Sequence, residues 1–240
     1  MGIPFYFATL LKAHAGIVQN VKQRLDVDVL GIDMNCFLHQ YLNDADPFTS
    51  VLNALDNLLT NVCRGKTCFI ALDGLVPYAK MVQQRYRRMR MPEGHATFDR
   101  NQLSPETPFM RQMENEIRTR FPYVILSATS EPGEGEHKLF SMLRKIPNDR
   151  RKSVCIYGLD ADLILLTLAH CGLSAPHSMY LLRETQEFGS RQATGFSTLN
   201  VWKLRSTLPM PIEQYLAMCV LCFGNDFMPC LGMFSLREDG

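Results

Sequence analysis

The sequence predicts an α/β fold with a mainly parallel central sheet flanked by helices. Two patterns carry that expectation. Short apolar runs rich in Val, Ile and Leu alternate with segments whose apolar residues recur every three or four positions. Strands that alternate with helices are the mark of a layered α/β domain. Several of the short runs also end on an acid, and the ends of such strands are where open sheets of this class build their sites.

The elements follow in order. Val27 to Asp33 reads as a buried strand ending on Asp33, and Met34 to Tyr41 as the helix after it. Phe48 to Val62 has helical spacing, with Val51, Leu52, Leu55, Leu58, Leu59 and Val62 apolar. Thr67 to Asp73 is a second buried strand, stopped by Gly74 and Pro77, and Lys80 to Arg90 is helical. Met91 to Pro105 has no period and carries Pro92, Gly94 and Pro105, so it reads as a loop. Thr107 to Arg120 is a helix and Tyr123 to Ser127 a third strand. Pro132-Gly133 breaks the chain before a helix from Glu134 to Leu143. Val154 to Tyr157 is the fourth strand, followed by Gly158-Leu159-Asp160 and a helix through Ala169. Met179 to Arg183 is the fifth strand, Glu184 to Gly195 reads as a polar loop, and Ser197 to Ser206 and Pro211 to Phe223 read as helices.

The 240 residues are 46% hydrophobic with a net charge of +1. A global balance so close to zero says nothing for or against a polyanion partner, so any electropositive surface must be local. No apolar run approaches the roughly 20 residues of a membrane span, and no secretory leader is expected, because no small-residue cleavage site follows Ile3 to Leu10. Met1-Gly2 is not expected to be myristoylated, since Tyr6 stands where Ser or Thr is wanted. The eight cysteines sit mostly inside apolar stretches, as reduced core thiols of a cytoplasmic or nuclear protein do, with the cytoplasm favoured. Cys219-Val-Leu-Cys222 has no nearby His to complete a zinc knuckle and is read as core.

Seven carboxylates stand where strands end or helices begin: Asp33, Asp73, Glu134, Glu136, Asp160, Asp162 and Asp226. Pooled at one edge of a sheet they would repel one another unless cations filled the pocket, and hard oxygen ligands suit Mg²⁺ or Mn²⁺. The pattern points to a two-metal phosphodiesterase. Four of these acids also have an ordinary reading. Asp160 would cap a helix, Glu134 and Glu136 would favour a helix N-terminus, and Gly224-Asn225-Asp226 is turn chemistry. Asp44/Asp46 and Glu114/Glu116 are expected at the solvated surface, and Asp26/Asp28 ahead of its strand.

Lys80 to Arg90 holds five basic residues and no acid. On a helix, Lys80, Gln84, Arg87 and Arg88 share one face, and Arg forks match phosphate oxygens. That face starts soon after Asp73, so a phosphate pocket would border the metal pocket. His39, six residues after Asp33, is either a plain helix histidine or a platform for a base.

At this point the chain resembles the N-terminal catalytic region of the XRN-type 5′→3′ exoribonucleases. The matching segments run in family order from Met1-Gly-Ile-Pro-Phe-Tyr-Phe7 through Gly31-Ile-Asp-Met-Asn-Cys-Phe-Leu-His39 and Ala71-Leu-Asp-Gly-Leu-Val-Pro-Tyr-Ala-Lys-Met81. They continue through Gln83-Gln-Arg-Tyr-Arg-Arg88, Ser104-Pro-Glu-Thr-Pro-Phe-Met110, Glu131-Pro-Gly-Glu-Gly-Glu-His-Lys138, Tyr157-Gly-Leu-Asp-Ala-Asp-Leu163, Leu181-Leu-Arg-Glu184 and Gly224-Asn-Asp-Phe-Met-Pro229.

The resemblance implies a PIN-like, flap-nuclease-like fold, with residues 1–240 forming one nuclease domain that lacks the family's second region. It implies that the seven acids bind two ions, Mg²⁺ or Mn²⁺. Lys80, Gln84, Arg87 and Arg88 would hold the 5′-monophosphate of a single-stranded RNA, and His39 would stack on the terminal base. Mononucleotides would leave one at a time from the 5′ end. Two alternatives stay open: a catalytically weak module that binds RNA 5′ ends, and a structure-specific DNA flap nuclease on the same fold.

Overall fold

The computed structural model describes residues 3, 5–89, 98–173, 178–186, 193–225, 228, 229 and 231. Asp226 and Cys230 lie outside that set, as do residues 91–97 and the side chains of Arg87 and Arg88. In chain order the elements are α1 (Tyr6–Ala13), β1 (Val18–Asn20), β2 (Leu25–Asp33), α2 (Met34–Leu38), α3 (Pro47–Asn57), β3 (Cys63–Ala71), α4 (Tyr78–Met89), α5 (Pro108–Arg120), β4 (Ile125–Ser127), α6 (Gly135–Lys145), β5 (Ser153–Tyr157), α7 (Ala161–Leu173), β6 (Ser178–Gln186), β7 (Ala193–Asn200), α8 (Val201–Thr207) and α9 (Ile212–Phe223). Parallel strand pairs predominate in an α/β arrangement, as the sequence predicts.

The chain divides into two compact units, residues 23–147 and residues 1–22 with 148–240. In the first, β2 pairs with β3 and β3 with β4, all parallel. The register sets Asp33 opposite Ala71 and Ala71 opposite Ser127, so all three strands stop at one level. Val29, Leu30, Ile32, Phe69 and Ile70 are buried in the centre of this sheet. Near-continuous apolar runs are what strands covered on both faces require. Helix α6 packs on β2 and β3. Asp46 caps α3 through Thr49, with Pro47 just inside its start. The apolar run to Val62 continues past Asn57 as a wider π-type turn, Leu58–Val62.

The other unit holds β5 parallel to β6, with β7 and then β1 added antiparallel. Two expectations are corrected here. The stretch Glu184 to Gly195 is not all loop, because β6 runs on to Gln186 and β7 begins at Ala193. Ser197 to Asn200 is strand rather than helix, and α8 starts only at Val201. A Gly- and Ser-bearing segment gains its strand conformation from pairing with β6, which local propensity does not show. The start of α8 has a local signal, since the Asn200 side chain accepts from Lys203 N at 2.9 Å as an N-cap. Cys219 is buried beside the Tyr6–Tyr215 hydroxyl pair (3.0 Å) and is a free thiol, as expected of core.

Two acid pairs depart from the places the sequence predicts. Asp26 and Asp28 lie inside β2 rather than ahead of it, and Asp28 meets Lys66 of β3 at 2.7 Å. Glu114 is buried, whereas Glu116 is partly exposed and pairs with Arg120. No described helix is long and apolar enough to cross a membrane.

Candidate active site

The site in the first unit begins where β2 and β3 stop. Asp33 ends β2, is buried, and accepts from Cys36 N at 3.3 Å, so it caps α2 while its carboxylate stays at the strand exit. Two residues on, Asn35 accepts from Asp73 N at 3.0 Å and ties the two strand exits together. Asp73 lies two residues past β3, and Leu72 N still bonds Ser127 O at 3.0 Å. Gly74 follows because nothing larger fits. A Cβ there would stand 1.8 Å from the Glu131 carbonyl oxygen. The turn is closed by Gly74 N to Gly133 O and Gly133 N to Leu75 O, both 2.9 Å.

The third part arrives with α6. Glu134 occupies the N-cap position yet makes no capping bond. The first helical amide, Gly135 N, donates instead to Asp73 Oδ1 at 2.7 Å. Glu134 therefore does not merely serve the helix terminus. Its Oε2 meets Lys80 Nζ at 2.9 Å, and its Oε1 is buried without a hydrogen-bond partner among the described residues. A buried carboxylate oxygen left unsatisfied is costly unless a further cation or donor serves it. Gly135 makes the convergence possible. A Cβ there would lie 3.1 Å from Asp33 Oδ1 and 3.4 Å from Asp73 Oδ1. Glu136, in the first turn of α6, is largely covered, with His137 Nε2 at 3.9 Å from its carboxylate.

Burial is the main reason that the Asp73 carboxyl titrates above its ordinary value. The Gly135 amide pulls the other way, Glu134 adds repulsion, and Lys80 and Lys138 oppose it. Lys138 lies beneath the site, donating to Leu72 O and Ala128 O at 2.8 Å each. Desolvation lowers its pKa, and Glu131, Asp73 and Glu114 support its charge. Beside it, Glu114 Oε1 accepts from Thr129 N at 2.9 Å and Thr129 Oγ1 at 2.7 Å, so this acid braces the end of β4.

A cavity of about 540 Å³ opens over these strand ends. Asn35, His39, Asp73 and Gln84 line it together with Arg85, Arg100, Asn101 and Ser104. Three residues singled out for different roles, His39, Asp73 and Gln84, thus share one chamber. Lys80 sits on Glu134, one helical turn from Gln84. Sequence reasoning misses Arg85, Arg100, Asn101, Asn35 and Lys138. Arg100 and Asn101 fall in the stretch read as loop, here a 3-10 turn Arg100–Leu103 capped by Asp99. Lys138 has a sequence signal in its place one helical turn after Glu134, on the same face of α6.

In the other unit, Asp160 is exposed between β5 and α7, and Asp162 is half-buried in the first turn of α7. Both follow the end of a strand, as the sequence predicts.

The donor set in the first unit suits a hard divalent ion. It offers carboxylate oxygens from Asp33, Asp73 and Glu134, one of them with an unsatisfied buried oxygen. As placed, though, no group of three or more His, Cys, Asp or Glu among the described residues is gathered closely enough to hold an ion. The carboxylates are served by the chain's own donors, with Lys80 on Glu134, Gly135 N on Asp73 and Cys36 N on Asp33.

Known proteins match this chain in both sequence and fold. It is 29% identical to a 5′-3′ exoribonuclease 1 of Saccharomyces cerevisiae, over 99% of the chain and 20% of that protein. It is 28% identical to the human 5′-3′ exoribonuclease 1, over 100% of the chain and 18% of that protein. A 5′-3′ exoribonuclease 2 of Candida albicans is 27% identical over 100% of the chain and 35% of that protein. The chain thus spans about a fifth to a third of the length of these relatives. Among solved structures, the catalytic core of Rad2 in complex with DNA substrate superposes with a TM-score of 0.59 at 14% identity, covering 99% of this chain and 66% of that one. The T5 D15 protein co-crystallised with metal ions gives 0.54 at 9% identity, covering 88% and 71%. These likenesses establish a flap-nuclease-like fold. The model of the XRN 5′-3′ exonuclease N-terminus matches residues 1–96 and 91–185, and the chain belongs to that family.

Proposed function

We propose that this chain is a metal-dependent 5′→3′ exoribonuclease that hydrolyses 5′-monophosphorylated single-stranded RNA to mononucleotides. The observation that carries the reading is the approach of the Asp33 and Asp73 carboxylates to Gly135, next to Glu134 with its unserved buried oxygen, beside the cavity that His39 and Gln84 line. Asp33, Asp73, Glu134 and Glu136 are proposed as metal ligands, and so are Asp160, Asp162 and Asp226 on their place in the family motifs. Mg²⁺ or Mn²⁺, as a pair, would supply an activated water and charge stabilisation at the scissile phosphate. Lys80, Gln84, Arg87 and Arg88 bind the 5′-phosphate, and His39 stacks on the terminal base. Residues 1–240 act as one nuclease domain, since the family match reaches both units. Buried free thiols, Cys68 and Cys171 among them, support a reducing compartment, the cytoplasm or the nucleus.

The test is degradation of a 5′-labelled single-stranded RNA with Mg²⁺ or Mn²⁺, in monophosphate and triphosphate forms, with an Asp160→Ala variant alongside. Labelled mononucleotide should appear from the monophosphate substrate alone and vanish in the variant. RNA binding without any release, by a folded protein, would contradict the reading and leave an end-binding module.

A further inference from the structure

Helix α4 has an unusual construction. None of its described side chains is buried, although it carries Tyr78, Met81, Val82, Tyr86 and Met89. Tyr78 is 78% exposed, Tyr86 61% and Met89 69%. Tyr78, Met81, Arg85 and Met89 stand at i, i+3, i+7 and i+11 and therefore share a face, with Tyr86 at its border. That face adjoins the one bearing Lys80 and Gln84, and Gln84 lines the same cavity as Met81, Arg85 and Met89. A helix of 12 residues with no buried stripe is marginal alone and calls for something to cover it.

The chemistry of the helix selects the occupant. From Tyr78 to Met89 it contains Lys80, Arg85, Arg87 and Arg88 and no acid. Lys80 is paired with Glu134, but the helix supplies no acid of its own to Arg85, Arg87 and Arg88, and such a local surplus of positive charge attracts a polyanion. Aromatic rings interleaved with Arg are the elements from which single-strand platforms are built, because every base has a face to stack and every linkage a phosphate to neutralise. The face is also continuous with the cavity, whose lining includes Met81, Arg85 and Met89.

We propose that the Tyr78–Met81–Arg85–Met89 face of α4, with Tyr86, is the track for the nucleotides downstream of the RNA end held in the cavity. Tyr78 and Tyr86 stack on bases, and Arg85 takes a backbone phosphate. Eight residues of helix separate the two tyrosines by about 12 Å, so they take different bases. The inference rests on the proposed exoribonuclease reading for the placement of the 5′ end.

The test is fluorescence anisotropy with EDTA present, so that nothing is cleaved. A 3′-labelled single-stranded RNA of about twelve nucleotides is compared with a 5′-phosphorylated dinucleotide competitor. The variants are Tyr78→Ala/Tyr86→Ala and Tyr78→Phe/Tyr86→Phe. The Ala pair should weaken the long RNA about tenfold and leave the dinucleotide unchanged, while the Phe pair restores binding. Unchanged affinity of the Ala pair for the long RNA would overturn the proposal and give this face to a protein partner. Equal loss for the dinucleotide would overturn it too, by placing the tyrosines in the end pocket. Removing the 5′-phosphate from the long RNA tests the other reading separately. If wild-type affinity does not fall, the end pocket is wrong, while the track still stands or falls on the tyrosine variants.

Discussion

The strand-end frame beneath Asp73 and helix α4 lie in the same unit, and Asp73 and α4 line the same cavity, yet the two are built on opposite terms. At the strand ends, buried and half-buried side chains fasten the backbone. Lys138 bridges Leu72 and Ala128, Glu114 holds Thr129, and Asn35 holds Asp73. On α4, no described side chain is buried, and the helix shows Tyr78, Tyr86 and Arg85 to the outside. On the proposed function the difference separates two tasks. Acids that must hold cations at fixed distances need a rigid frame, because their repulsion would otherwise spread them. A surface that receives a chain of varied sequence needs exposed rings and charges, and little is lost by leaving it open.

Substitutions should expose that contrast. Lys138→Met removes a buried ammonium and leaves two carbonyls and neighbouring acids without it, so we expect a loss of about 3–5 kcal/mol in denaturant unfolding. A loss below about 1 kcal/mol would show that the strand ends are not clamped as described. Gly74→Ala forces a Cβ onto the Glu131 carbonyl oxygen. It should cost about 1–3 kcal/mol and shift Asp73, so divalent-ion affinity should fall along with stability.

The next effect has the opposite sign. Asp73 titrates above the ordinary 3.8 because it is buried. The folded chain therefore holds that proton more tightly than the unfolded chain, and between the two pKa values stability falls as pH rises. Asp73→Asn keeps an acceptor for Gly135 N but never ionises. Without metal it should raise the melting temperature near neutral pH and flatten the dependence of stability on pH above the ordinary carboxylate range. A melting temperature that drops would mean the carboxylate is not held at an energetic disadvantage. Smallest of all should be Tyr86→Ala or Met89→Ala, each within about 0.5 kcal/mol of the parent. A larger cost would mean that α4 is packed after all.

The same contrast explains what the sequence makes legible. Asp33, Asp73 and Glu134 can be read because strand runs and a Pro-Gly break mark where the chain turns, and those turns carry the acids. Lys138 and Asn35 are harder to read, since their partners are backbone groups 66 and 38 positions away. Glu114 looks like an ordinary surface acid because only the fold brings Thr129 to it. Strand β7 is hidden for a related reason, as its conformation depends on its β6 neighbour. The basic run on α4 is plain, but its exposed tyrosines and methionines acquire meaning only once the helix is seen to bury nothing among its described side chains.

The central claim is that Asp33, Asp73 and Glu134 form a divalent-ion site. Calorimetric titration with Mn²⁺, run on the wild type and on Asp73→Asn, tests it most directly. The wild type should bind, and the variant, although folded and more heat-stable without metal, should bind at least about tenfold more weakly. Equal Mn²⁺ affinity in both proteins, or none in either, would contradict the claim.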